Sequence, residues 1–318
     1  MDESLGHIAQ VPIHDACAER PGGHVPFLSR LVRTCAVAAL APLCCAASAS
    51  NDRITLPLHL VNGVPVVQLR IHDKDIPFTL DTGASDALYL DADAERAIPE
   101  FARTGQRVKS MDIGGTVVED EEITAHDLVV DGMHFLSVHG RTLTPWGLGH
   151  DGPAPPPRVS VLGLRFFDGK QVLFDVAASK VTVWDAAGAA AEGPSNVAAW
   201  RRVEYESAKE GLVVSMDGAR AHYRLVLDSA STISLIRRAS VAPEDGVPGC
   251  DVHFMPGAPC VSVAVKLGAG QPSLTLYEAD LPERFHADGL LGRVFFDDYR
   301  VYLDTRQHLL RVDPVVAN

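Results

Sequence analysis

Two aspartates, Asp81 and Asp228, each follow a short apolar strand and precede a hydroxyl-bearing residue. The two runs are Phe78-Thr79-Leu80-Asp81-Thr82-Gly83-Ala84-Ser85 and Leu225-Val226-Leu227-Asp228-Ser229-Ala230-Ser231-Thr232. Two carboxyl groups held a few ångströms apart cannot both ionise easily, so one pKa falls, the other rises, and the pair shares a proton. Such a pair can accept a proton from a bound water while it gives one to a carbonyl oxygen, which is general acid–base catalysis without a covalent intermediate.

A second motif is repeated downstream of each aspartate. The two copies are Val161-Leu162-Gly163-Leu164-Arg165-Phe166-Phe167-Asp168 and Leu290-Leu291-Gly292-Arg293-Val294-Phe295-Phe296-Asp297. Each copy indicates a strand, a glycine, a short helix that carries a Phe-Phe pair, and then a β-hairpin. Because the aspartate motif precedes the glycine motif in both halves, the chain is an internal duplication. The duplication predicts two similar lobes whose aspartates meet at their interface.

The repeat also predicts the division of the chain and its fold class. The predicted segments are a leader at 1–49, a first lobe at 50–185, a linker at 186–199 and a second lobe at 200–318. Most of the chain alternates as short strands, for example Val64–Ile71 and Val261–Leu267. Helical periodicity is limited to Asp91–Arg103 and the two Phe-Phe segments. We therefore predict an all-β fold with short helices, in which two tandem β-barrel lobes surround a central cleft.

The start of the sequence has the pattern of an export signal. Arg30 and Arg33 precede the apolar run Cys35–Leu43, and small residues follow, which predicts signal-peptide cleavage after Ala49. The apolar run is too short to span a bilayer. Because a long stretch precedes the run, a translation start near residue 31 is an alternative, and a buried or disordered N-terminal segment is another. Export predicts a periplasmic or secreted protein with no membrane span after the leader is removed.

Export changes the cysteine count. Four cysteines would leave with the leader: Cys17, Cys35, Cys44 and Cys45. Cys250 and Cys260 would remain, an even number in an oxidising compartment, so we predict that they form a disulfide. Such a short loop would contribute about 2–3 kcal/mol on the chain-entropy estimate. A lipoprotein is a weaker alternative, because Cys44 and Cys45 lack the small residue that normally precedes a lipidated cysteine.

Composition and motifs exclude several classes of partner. The 318 residues carry a net charge of −13, which argues against nucleic acid because phosphates would be repelled. His134 and His139 lie five positions apart, so on a strand they face opposite sides and would not share a metal. The sequence has no glycine-rich phosphate loop, His-Glu-x-x-His or Gly-x-Ser-x-Gly motif. We therefore predict no metal, no cofactor and no nucleic acid.

The duplicated pattern resembles that of the aspartic peptidases. The run Asp81–Ala84, with Leu162–Phe167 further on, is similar to a retropepsin protomer, and the duplication is similar to the single-chain, pepsin-type arrangement. The resemblance covers roughly residues 53–312. It implies that Asp81 and Asp228 are the catalytic pair of a peptidase whose substrate is a peptide or protein. Since one chain supplies both lobes, a monomer is expected.

The same resemblance assigns supporting roles to the neighbours of the pair. It implies that Thr82 and Ser229 hydrogen-bond across the pair and fix the two loops. It implies that Gly83 brings its backbone amide close to a carboxylate. Ala230 departs from the pattern, which usually has glycine there. This departure makes a catalytically weakened or inactive peptide-binding protein the alternative to an exported endopeptidase. A protein that cuts only its own leader is a third reading.

Two hairpins could cover a substrate. Met111–Thr116 predicts a glycine-tipped flap that carries Ile113, Gly114 and Gly115, and the resemblance is to a retropepsin flap because no tyrosine is present. The matching stretch of the second lobe is Asp251–Pro259, bracketed by the two remaining cysteines. It is either a second cover for the cleft or an ordinary surface hairpin.

Overall fold

The computed structural model describes residues 52–111, 113–144, 159–185, 193–249 and 261–315. Several predictions concern residues outside these ranges: the leader at 1–49, the beginning of the linker, the disulfide between Cys250 and Cys260, and the second cover at Asp251–Pro259.

Short strands connected by tight turns make up most of the described chain. The strands of the first half are β1 (Arg53–Val61), β2 (Val64–Ile71), β3 (Lys74–Asp81), β4 (Leu88–Leu90), β5 (Phe101–Met111), β6 (Val117–Val130), β7 (Met133–Thr142), β8 (Ser160–Gly163), β9 (Lys170–Asp175) and β10 (Lys180–Asp185). Those of the second half are β11 (Arg201–Val203), β12 (Tyr205–Ala208), β13 (Gly211–Asp217), β14 (His222–Leu227), β15 (Leu235–Arg237), β16 (Gly246–Pro248), β17 (Val261–Lys266), β18 (Ser273–Ala279), β19 (Gly289–Leu291), β20 (Tyr299–Asp304) and β21 (Leu309–Pro314). The helices are α1 (Ala92–Ala97), α2 (Val294–Asp298) and 3₁₀ turns at Leu164–Phe167, Val197–Ala199 and Arg238–Ser240.

Alternating burial explains why these segments form strands. In β1, Ile54, Leu56 and Leu58 are buried while the residues between them are exposed. Successive side chains of a strand point to opposite faces, so this alternation lays one apolar face on the core. The turn between β1 and β2 is Asn62-Gly63, and both residues have positive φ. A two-residue hairpin turn requires this geometry, and it fixes the register of β1 against β2.

The two halves share one sheet. Strands β11, β21 and β20 of the second half continue into β9, β10 and β1 of the first half, and β1 leads on into the remaining strands of that half. The junction is antiparallel and pairs Val301 with Phe174. The other strands of the second half form a separate eight-stranded sheet. Backbone hydrogen bonds therefore join the halves directly.

One phenylalanine of each Phe-Phe pair packs against Phe174 of this shared sheet. The ring of Phe174 in β9 lies 5.8 Å from that of Phe167 and 5.9 Å from that of Phe296, both nearly edge to face. All three rings are buried. Aromatic pairs at such distances add about 0.5–1.5 kcal/mol each beyond the area they bury. The repeated pairs therefore help to hold the two halves on one core.

The predicted helix at Asp91–Arg103 is wrong beyond Ala97. Helix α1 begins where the Asp91 carboxylate accepts hydrogen bonds from two amides of the first turn, both at 2.8 Å. It ends at Ile98, because Pro99 disfavours the helical conformation for the residue before it. The chain then turns into β5, whose first residue is Phe101.

The predicted fold class is confirmed: the described chain is all-β with short helices. Within the described ranges, no helix is both long enough and apolar enough to cross a membrane.

Candidate functional site

Asp81 stands at the end of β3, where two strand pairings converge. β3 runs parallel to β8, which sets Asp81 beside Gly163, and β8 runs antiparallel to β4. A Cβ atom at Gly163 would lie 1.9 Å from the carbonyl oxygen of Asp86. Only glycine allows the Asp81 loop to pack this closely on β8, which explains the glycine of the downstream motif.

Asp228 stands in the same frame in the second half. It follows β14, which is parallel to β19, and its amide donates to the carbonyl of Leu291 at 2.9 Å. A Cβ atom at Gly292 would lie 2.3 Å from the carbonyl oxygen of Ile233. The repeated sequence thus folds into a repeated loop.

Thr82 and Ser229 lock the two loops together. The Thr82 hydroxyl donates to the carbonyl of Leu227 at 2.7 Å and accepts from the Ser229 amide at 3.0 Å. Reciprocally, the Ser229 hydroxyl donates to the carbonyl of Leu80 at 2.8 Å and accepts from the Thr82 amide at 3.1 Å. Both side chains are buried. Four hydrogen bonds therefore fix the spacing of the aspartates.

The two carboxyl groups are in contact and are not equivalent. Burial, followed by the charge of Asp228, holds the pKa of Asp81 well above its ordinary value. Burial also raises the pKa of Asp228, but the amides of Ser231 and Ala230 oppose that rise. A hydrogen bond between the two side chains raises the pKa of Asp81 and lowers that of Asp228. The pair therefore holds a shared proton at pH values where a free carboxyl is ionised.

The loop that contains Ala230 makes the same amide hydrogen bond to its aspartate as the loop that contains Gly83. The Ala230 amide donates to Asp228 Oδ1 at 3.1 Å, as the Gly83 amide does to Asp81 Oδ1 at 2.9 Å. Neither Gly83 nor Ala230 has a positive φ, so the methyl group of Ala230 meets no forbidden backbone conformation. A Cβ atom at Gly83 would lie 3.1 Å from Cγ of Asp228. From the repeat, we expect the methyl group of Ala230 to lie beside Asp81 in the equivalent place.

The predicted flap is a hairpin that leans on the second half. β5 and β6 pair as far as Met111 and Val117, so the tip contains Ile113, Gly114 and Gly115. Ile113 packs against an apolar cluster of the second half, and Gly115 points toward Pro282. The hairpin tip thus lies across the gap between the halves.

A cavity of about 280 Å³ adjoins the Asp81 loop. Its walls include Ala84 and Ser85 from the loop, Arg165 from the following 3₁₀ turn, and Tyr205 and Lys209 from the second half. Both halves therefore line a groove that begins directly beyond the Asp-Thr-Gly segment.

Solved structures align with most of the chain, although no family model and no curated protein matches it. Basic 7S globulin from soybean aligns with a TM-score of 0.51 at 9% identity, over 82% of this chain and 95% of that one. Conglutin gamma from lupine seeds aligns at 0.48 and 11% identity over 83% and 95%. An aspartic proteinase from Irpex lacteus aligns at 0.49 and 13% identity over 83% and 97%. At these identities the likeness concerns the fold alone.

Sequence reasoning missed three polar residues beside the pair: Tyr89, Asp86 and Arg141. Burial raises the pKa of Tyr89 to about 12, and the charge of the neighbouring Asp86 carboxylate adds to that rise. A gapless alignment of the repeat sets Tyr89 against Ile236, whereas the strand registers make Leu235 its counterpart. Only an alignment of the two halves that allows one extra residue in the first loop pairs Tyr89 with Leu235 and shows that the polar residue has an apolar counterpart. In the described part of the chain, no cluster of His, Cys, Asp or Glu could hold a metal ion.

Proposed function

We propose that this chain is an aspartic-type endopeptidase of retropepsin-like descent, with Asp81 and Asp228 as its catalytic pair. The observation that carries the proposal is the pair of touching, largely buried carboxyl groups, fixed by reciprocal hydrogen bonds between the two loops. Preorganised groups of this kind need no rearrangement when the reaction begins.

The unequal carboxyls suggest a division of labour. In the proposed mechanism, ionised Asp228 accepts a proton from a water molecule, and the oxygen of that water attacks the carbonyl carbon of the peptide bond. Protonated Asp81 gives its proton to the carbonyl oxygen, so the intermediate is a neutral gem-diol. The proton on Asp228 then passes to the amide nitrogen as the C–N bond breaks, and Asp81 regains a proton from the diol. No covalent enzyme intermediate forms.

The test is cleavage of a diverse peptide library by the purified full chain, followed by mass spectrometry from acidic to neutral pH. Cleavage is expected, and Asp81→Asn and Asp228→Asn should each lower it by about a thousandfold or more. Asp73→Asn is the matched control, since Asp73 is exposed on the turn before β3, at the opposite end of that strand from Asp81. Cleavage that survives in both dyad variants would overturn the proposal.

Two other outcomes have distinct meanings. Peptide binding without cleavage at any pH would favour the alternative, a binding protein on the same fold. A single cut near the N-terminus, with no peptide cleaved, would restrict the activity to self-processing.

We further propose that the chain is exported to the periplasm or secreted, acts as a monomer and carries a Cys250–Cys260 disulfide. The support is the leader pattern, the presence of both aspartates in one chain, and the even cysteine count after Ala49. N-terminal sequencing of exported protein, its mass in solution and a thiol count test the three points separately. Two free thiols would remove the disulfide.

A further inference from the structure

The first half of the cleft presents a face made by three strands. In β3, Phe78 and Leu80 belong to the main core, so Thr79 between them points to the opposite face. The registers place Thr79 beside Val161, and Val161 beside Tyr89. Asp81 lies two residues beyond Thr79 on the same strand. This face therefore borders the catalytic pair on the side away from the core.

The second half presents the equivalent face with different chemistry. The registers place Val226 beside Leu290, and Leu290 beside Leu235. These residues form an apolar cluster separate from the main core, and Phe285 packs on it. Ile113, at the tip of the hairpin, contacts the same cluster. The contact identifies this face as the one beneath the hairpin, and its three register-paired residues are apolar.

Tyr89 and Arg141, on the first face, take part in hydrogen bonds and an ion pair with residues of the Asp81 loop. The Tyr89 hydroxyl lies 2.8 Å from the hydroxyl of Ser85 and donates to Asp86 Oδ2 at 3.3 Å. Arg141 Nε lies 2.6 Å from the same carboxylate oxygen. Arg141 is the register partner of Tyr89 in the parallel pair of β7 and β4, so both side chains leave the sheet on one face. The first face thus carries polar groups beside the apolar Val161, whereas Val226, Leu290 and Leu235 of the second face are all apolar.

One donor of this network is unpaired. The side chains of Arg141 and Asp86 are only 13% and 19% exposed. Arg141 Nη1 is buried and has no hydrogen-bond partner in the structure. A buried donor on a charged group is costly to leave unpaired, and an acceptor supplied by a ligand would remove that cost. Because Asp86 already balances the charge, the missing group is an acceptor oxygen rather than necessarily an anion.

We propose, on the basis of the proposed peptidase function, that Arg141 and Tyr89 select a substrate side chain bearing a carboxylate or carboxamide oxygen. The apolar face around Leu290 takes a large apolar side chain on the other side of the scissile bond. The substrate class is therefore a peptide with Glu or Gln on one side of the cleaved bond and an aliphatic or aromatic residue on the other.

The experiment compares matched peptides that differ at one position. The full chain is given peptides with Glu, Gln or the near-isosteric Met on one side of the cleaved bond, and Leu on the other. Relative kcat/KM is measured, and the same peptides are bound to the Asp228→Asn protein. Glu and Gln should exceed Met by about tenfold or more, because a hydrogen bond to a charged donor has that effect on selectivity.

Variants locate the selectivity. Arg141→Met should bring the Glu-to-Met ratio to within about twofold of unity, and Tyr89→Phe should lower it by a smaller factor. Arg107→Met is the control, since Arg107 is an exposed arginine of the same sheet, and it should keep the wild-type ratio. If Arg141→Met unfolds because Asp86 loses its partner, the double variant with Asp86→Asn removes the unpaired charge and is measured instead.

Failure of this inference can be told from failure of the proposed function. Cleavage with apolar residues preferred on both sides, or a ratio unchanged in Arg141→Met, overturns the inference and leaves the peptidase in place. Selective binding of Glu or Gln peptides without cleavage supports the inference and overturns the peptidase. Neither binding nor cleavage of any peptide overturns both.

Discussion

The Asp81 loop and the Asp228 loop share one backbone frame but differ in their electrostatics. Each aspartate stands at the end of a strand whose parallel neighbour runs into the glycine of the downstream motif. Each loop also contributes one hydroxyl to the reciprocal hydrogen bonds. Yet Asp81 is 8% exposed and Asp228 is more open, and the charge of Asp228 raises the pKa of Asp81. The difference shows that two properties have separate causes. The repeated sequence determines the backbone geometry of the loops, and the surroundings of each carboxyl determine its pKa.

Removal of either hydroxyl of the reciprocal hydrogen bonds should destabilise the protein to a similar extent. Thr82→Val and Ser229→Ala each remove a hydroxyl that makes two buried hydrogen bonds, so each should lower the free energy of unfolding by about 2–5 kcal/mol. Urea denaturation measures both losses. Thr275→Val, on an exposed position of β18, is the control and should change stability little. Unequal losses in the two variants would break the symmetry inferred for the frame.

The two loops differ in the second residue after the aspartate, which is Gly83 in the first loop and Ala230 in the second. Gly83→Ala would place a methyl group 3.1 Å from Cγ of Asp228, so that carboxyl must move. A small misplacement of a catalytic group costs up to about a hundredfold in rate, and we expect kcat/KM to fall by about tenfold to a hundredfold. An undiminished rate would show that the second carboxyl tolerates a methyl neighbour as the first does.

The raised pKa of Asp81 makes stability depend on pH with a defined sign. A carboxyl whose pKa is higher in the folded than in the unfolded protein binds its proton more tightly when folded. Its contribution is complete below the unfolded pKa and is lost as pH rises through the folded pKa. Asp81→Asn should therefore flatten this decline and raise the free energy of unfolding at neutral pH by on the order of 1 kcal/mol. Thermal unfolding across pH measures it, with Asp73→Asn as the unaffected control.

Ala230 should have the smallest effect. Ala230→Gly removes a methyl group from the side of Asp81, which exposes that carboxyl and lowers its pKa. Because the proposed mechanism requires protonated Asp81, the loss of activity on the alkaline side should move to lower pH. The maximal kcat/KM should change by less than about tenfold. An unchanged pH profile would mean that the methyl group of Ala230 does not affect the pKa of Asp81.

The sequence predicted the paired loops because the repeat places the same residue types in the same order twice. Asp81, Thr82, Gly163 and their counterparts could be aligned without a structure. The shared sheet could not be predicted in this way. Val172, Leu173 and Phe174 form a continuous apolar run, as in many buried strands, and nothing in them specifies β20 as the neighbour. Arg141 was missed for a related reason, since its partner Asp86 is distant in sequence and only the fold joins them.

The shared sheet has a consequence for the timing of assembly. It unites β1, at the beginning of the described chain, with β21, at its end. A growing polypeptide therefore carries Asp81 long before β20 and β21 exist to complete the structure that holds the second loop against the first. Contacts between such distant parts form late in folding. A partly synthesised chain would hold one aspartate without its partner, so the chemistry proposed for the pair would be withheld until the whole chain had been made.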